Sequence, residues 1–60
     1  MSTFGILLRK YREGATLSQH DLSVKVGLSA STISRVENGT RNPPRKRRQV
    51  LAIAKALRLD

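Results

Sequence analysis

The chain has no cysteine and no tryptophan among its 60 residues. Without cysteine, neither a disulfide framework nor a thiolate metal site can staple so short a chain. The single histidine, His20, cannot form a metal cluster by itself, so no metal and no cofactor is implied. Acids are also scarce: four Asp plus Glu, scattered along the chain, make no catalytic constellation with one histidine, and no enzyme is expected. Long apolar runs are missing. No stretch approaches the roughly 20 residues of a membrane span, and the N-terminus lacks a signal peptide's basic-then-apolar layout. The expectation is a soluble, cytoplasmic chain with no membrane partner. Two aromatics, Phe4 and Tyr11, both fall on an apolar helical stripe, which leaves no platform for stacking unpaired bases.

What is present is positive charge. Twelve Lys plus Arg against four Asp plus Glu give a net charge of +8, an excess that points to a polyanionic partner. Charge kept only for solubility mixes both signs along helix faces. Here half of the basic residues lie between Arg35 and Arg48, with Glu37 as the one acid among them. No helix combines a basic face with the large apolar face that membrane binding needs, so nucleic acid is the expected polyanion. The length suits one domain, 1–60, burying only about 60% of its unfolded surface and stable by a few kcal/mol.

The periodicity is helical throughout and predicts an all-α fold of four helices, at about 3–13, 18–26, 29–38 and 46–58. In the first, Thr3 is placed as N-cap, Phe4, Leu7, Leu8 and Tyr11 as the buried stripe, and Gly14 as C-cap, with Gly5 weakening the first turn. Ser18 and Asp21 spell a capping box for the second helix, flanked by Leu17 and Leu22 as a hydrophobic staple. Leu22 and Val26, then Leu28, Ile33 and Val36, are the buried positions of the second and third helices. Gly27 lies between them, where a tight turn needs positive φ, and Ser23 is small enough for close crossing. Small, apolar and glycine positions in this order are the signature of a helix-turn-helix.

The third helix, capped by Ser29 and ended by Asn38-Gly39, turns Ile33, Val36 and Glu37 to one side. Ser31 and Arg35 project the other way, flanked by Ser34 and Asn38, with Ala30 and Thr32 at the margins. In a major groove, Arg35 has the fork for guanine O6 and N7, Ser31 and Ser34 are permissive hydrogen-bonders, and Ala30 suits a thymine methyl. Gln19 and His20 stand in the first turn of the second helix, where free N–H groups favour phosphate; Gln19 can extend that contact, whereas His20 reads as merely exposed. Beyond Gly39, Pro43 and Pro44 interrupt any helix. The four cations Arg45 to Arg48 are a solvated first turn of helix four, a phosphate clamp beside helix three, or arginines for an adjacent minor groove, and the clamp is favoured. Val50, Leu51, Ile53, Ala54 and Leu57 are the expected core face of that helix.

From Leu8 to Leu57 the chain resembles the Xre/Cro family of helix-turn-helix regulators. The likeness lies in LRKYR, TLSQHDL and VGLSASTISRVENGTRNP. It implies a compact lambda-repressor-like bundle of about five helices, of which the fifth is missing here; Asp60 stands where its N-cap would be. It also implies a sequence-specific regulator of transcription, most often a repressor, that binds double-stranded DNA and is thus nucleoid-associated. Such regulators commonly bind a palindromic operator as a homodimer. By resemblance, Ala30, Ser31 and Arg35 match base-reading positions and Gln19 a phosphate- or base-contacting glutamine. Asn38, Thr40 and Arg41 match a backbone-contacting loop, and Arg12 and Glu37 an ion pair linking helices one and three. The expected base-reading set is therefore Ala30, Ser31, Ser34 and Arg35. The expected phosphate-contacting set is Ser18, Gln19, Thr32, Asn38, Thr40, Arg41, Arg45 and Lys46. Two departures stand out: Arg58 replaces the usual glycine after the last leucine, and the segment after Pro43 is one or two residues longer. The apolar surface that a fifth helix would cover is left for a second copy or a following C-terminal domain. An antitoxin or protein-interaction module that also represses its own operon is the alternative reading.

Overall fold

Ser18 and Asp21 set the start of the central helix. The Ser18 hydroxyl accepts from the Asp21 N–H at 2.9 Å, and the Asp21 carboxylate accepts from the Ser18 N–H at 3.0 Å. This reciprocal cap satisfies two donors that a helix start otherwise leaves open, and such a cap contributes on the order of 1 kcal/mol. The computed structural model describes residues 3–58 and contains four helices and no strand among them: α1 Thr3–Gly14, α2 Gln19–Val26, α3 Ala30–Asn38 and α4 Arg47–Ala56. The N-cap of α3 is Ser29, whose hydroxyl accepts from the Thr32 N–H at 3.1 Å.

A left-handed residue follows each helix within two positions. Gly27 (φ 73°) closes α2 and Gly39 (φ 79°) closes α3. At both ends the following N–H reaches back to a carbonyl of the last turn, Leu28 to Ser23 at 3.1 Å and Thr40 to Arg35 at 2.9 Å. The end of α1 differs from the sequence expectation. Gly14 stays helical, and the left-handed position falls at Thr16 (φ 59°), with Thr16 N–H bonded to Glu13 and Leu17 N–H to Arg12. Arg58 (φ 58°) occupies the equivalent place after α4. Thr3 lies within α1 rather than capping it, and Asp60, the expected start of a fifth helix, lies outside the described residues.

The core is built from Leu8, Leu22, Val26, Ile33, Val36, Ile53 and Leu57, with Phe4, Leu17 and Leu28 partly buried against it. Helix α1 packs on α3, α2 packs on both α3 and α4, and Leu22 at the centre is fully buried. Two expected stripes are rotated. In α1 the buried line is Gly5, Leu8 and Arg12, while Leu7 and Tyr11 face solvent at 44% and 46% exposure. Gly5 is the reason: a Cβ there would lie 2.9 Å from the Glu37 carbonyl oxygen and closer still to that of Val36. The glycine therefore lets the α1 backbone rest on the α3 backbone, which turns Leu7 and Tyr11 outward. In α4 and its C-cap Leu57, Ile53 and Leu57 are buried as expected and Ala54 is half-buried together with Ala52 and Ala56, whereas Val50 and Leu51 are exposed. That helix packs chiefly on α2, so one narrow stripe suffices, and its alanines permit close approach.

Candidate nucleic-acid interface

Helix α3 is held from behind by its apolar face and by one ion pair. Ile33 and Val36 are each 1% exposed, and the Glu37 side chain is as deeply buried. A carboxylate there needs a partner, since an unpaired buried charge costs several kcal/mol. Arg12 supplies one through a fork, Nε to Glu37 Oε2 at 2.6 Å and Nη2 to Oε1 at 3.1 Å. Its remaining nitrogen, Nη1, donates to the Leu17 carbonyl at 2.8 Å, tying the α1–α2 turn to the same side chain. The hydrogen bond to Glu37 raises the Arg12 pKa above its already high value, so the guanidinium stays charged at any ordinary pH. The ion pair implied by the resemblance is present.

The opposite face of α3 is open. Gln19, Ala30, Ser31, Ser34 and Arg35 line one shallow groove on the surface. All four residues expected to read bases are thus brought together, and Gln19, expected among the phosphate contacts, joins them. Its Nε2 donates to Glu37 Oε1 at 3.1 Å, a bond across 18 positions that no sequence pattern announces. Ser31 and Arg35 are exposed, and Ala30 and Ser34 half-buried. The groove contains no acid and one guanidinium.

The remaining expected phosphate contacts fall into separate places. Ser18 is exposed but its hydroxyl already caps α2, and Asp21 beside it brings a negative charge to that helix start. Hydrogen bonds from Ser18 hold the Asp21 carboxyl below its ordinary pKa, so this charge persists at neutral pH. The free N–H groups at the start of α2 thus have a carboxylate beside them. Asn38 and Thr40 are exposed at the α3 end, where the Thr40 hydroxyl donates to the Arg35 carbonyl at 3.2 Å. A second groove, between α3 and the start of α4, is lined by Thr32, Arg41, Arg45 and Lys46 together with Asn42 and Gln49. Asn42 and Gln49 were not singled out in the sequence, although Gln49 stands one helical turn after Lys46 on the same face. Lys46 is the N-cap of α4 with no side-chain cap bond, and no acid follows in the first turn.

Two short helices joined through a left-handed glycine, the second with a buried apolar back and an open polar front, define a helix-turn-helix protein. The chain belongs to the helix-turn-helix domain family, whose model matches residues 3–60, in line with the Xre/Cro resemblance of its sequence. It is 41% identical over 59 residues to the HTH-type transcriptional repressor RghR of Bacillus subtilis (strain 168), covering 98% of this chain and 43% of that protein. It is also 44% identical over 45 residues to the uncharacterized HTH-type transcriptional regulator RghRB of the same organism, covering 75% of this chain and 32% of that protein. The chain thus spans less than half the length of either relative. No solved structure matches it at a significant level.

Proposed function

We propose that the chain is the sequence-specific DNA-binding module of a transcriptional regulator, with α3 in the major groove. The observation that carries this reading is the single groove shared by Gln19, Ala30, Ser31, Ser34 and Arg35. A helix of nine residues is about 13 Å long, enough to lie across a groove about 12 Å wide. Arg35 fits guanine O6 and N7, the two serine hydroxyls fit donors or acceptors, and Ala30 fits a thymine methyl.

Affinity comes mainly from the basic edge. Arg41, Arg45 and Lys46 form a cationic groove with Asn42 and Gln49, to which Asn38 at the end of α3 adds a neutral donor. Cations there neutralise phosphates and release counterions, a term that is independent of sequence and steeply dependent on salt. The charge of +8 and the repressor named among the relatives support a repressor of transcription. Exposed Leu7, Tyr11, Val50 and Leu51 offer apolar surface to a second copy, which supports binding as a homodimer to half-sites about one helical turn apart.

Selection of binding sites from random duplexes at two salt concentrations tests the reading. The expected result is an enriched motif with two half-sites and an affinity that falls steeply with salt. Enrichment of no motif, with equal binding to every duplex, would overturn it.

A further inference from the structure

Glu37 is already neutralised by Arg12, yet its Oε1 takes a second donor, the Gln19 amide. A carboxylate accepts and does not donate, so the nitrogen of Gln19 is the atom that faces it; the amide has one orientation, not two. Among the described residues no buried side-chain nitrogen or oxygen lacks a partner, and the Gln19 oxygen has none among them, so solvent reaches it. Gln19 lines the groove with Ala30, Ser31, Ser34 and Arg35. We infer that Glu37 is a positioning residue that aims the Gln19 carbonyl oxygen outward, making Gln19 a reader of an exocyclic base amine, adenine N6 or cytosine N4.

The chemistry separates this role from a phosphate contact. Phosphate oxygens only accept, so an outward carbonyl repels them, and Gln19 keeps a single N–H beyond the one given to Glu37. Base amines are donors, present in the major groove on adenine and cytosine alone. The inference rests on the DNA-binding reading above and adds to it an assigned specificity residue with its support, Arg12 to Glu37 to Gln19.

The test begins with site selection for the unaltered chain and for Gln19→Ala. The expected result is that Gln19→Ala relaxes one base pair of the motif and leaves the others. Replacing the amine-bearing base of that pair by its amine-deleted analogue (purine for adenine, 2-pyrimidinone for cytosine) should then weaken the unaltered chain about 2- to 12-fold, as one hydrogen bond would. It should leave Gln19→Ala unchanged. Glu37→Gln, assayed at low temperature with its folded fraction measured by circular dichroism, should relax the same pair without adding to Gln19→Ala. Should Glu37→Gln fail to fold, the unaltered chain decides by NMR: one Gln19 side-chain proton should exchange with solvent more slowly than the other. A loss for Gln19→Ala that is uniform over all duplexes, an amine deletion without effect, or two equally fast amide protons would each overturn the inference. Absence of any selected motif would instead overturn the DNA-binding reading itself.

Discussion

Arg12 and Glu37, 25 positions apart, form a forked ion pair whose side chains are only 10% and 1% exposed. The arginine leaves the last turn of α1 and the glutamate the last turn of α3, so the pair locks α3 to α1. Because each charge is desolvated, the loss of either strands the other. Arg12→Ala should destabilise the chain by about 3–5 kcal/mol. In a domain of this length that exceeds most of the available stability, so thermal circular dichroism should show no cooperative transition at room temperature. A melting temperature within a few degrees of the unaltered chain would sink this account.

Two glycines of the same helix should respond oppositely to alanine. Gly5→Ala forces a Cβ against the Val36 and Glu37 carbonyls, an overpacking expected to cost about 1–3 kcal/mol. Gly14 is helical with nothing within 4 Å of its would-be Cβ, so Gly14→Ala should stabilise by up to about 1 kcal/mol. Urea denaturation of the two variants measures both signs in one experiment.

Thr16 holds a left-handed conformation that suits glycine and strains a β-branched residue. Thr16→Gly should therefore raise stability by about 0.5–1 kcal/mol, or roughly 4 °C in melting temperature. An unchanged or lower melting temperature would mean that the Thr16 hydroxyl bond to the Ala15 carbonyl, at 2.6 Å, outweighs the strain.

Asp21 gives the fold a predictable acid sensitivity. Its folded pKa lies below the ordinary carboxylate value near 4, because the ionised form accepts from Ser18. The unfolded chain therefore takes up the proton first as pH falls. The stabilisation is complete above about pH 4 and is lost as the pH drops through the lower folded value. Asp21→Asn should remove this part of the acid slope while leaving the other acids to titrate, which melting curves from pH 6 to pH 2 can show.

Arg35 and the pair Arg45–Lys46 should fail in different ways. Arg35→Ala should cost about 1–3 kcal/mol on the selected site and relax one base position. Replacing both Arg45 and Lys46 by alanine should weaken all duplexes alike and lower the slope of log K against log salt by about 1.8. An unaltered slope would remove these two side chains from the phosphate contacts.

Much of the bundle was legible in local chemistry. The Ser18–Asp21 box, the Ser29 cap and the left-handed glycines at 27 and 39 act over a few residues, and the structure has each where the sequence put it. The outward set on α3 was legible for the same reason, since a period of 3.6 residues assigns faces without knowledge of neighbours.

The rotation of whole helices was not legible. Leu7, Tyr11, Val50 and Leu51 have the hydrophobicity of core residues, and nothing within α1 or α4 says which side meets a partner. That was decided by where Gly5 allows backbone contact with α3 and by the narrow strip of α4 that α2 covers. The same holds for Gln19. By itself the sequence determined four helices, a charge of one sign and a polar front on α3, because those properties depend on residue type and short-range spacing. Only the tertiary structure decided that Glu37 holds both Arg12 and Gln19, because hydrogen bonds between residues 18 and 25 positions apart exist only once three helices have packed.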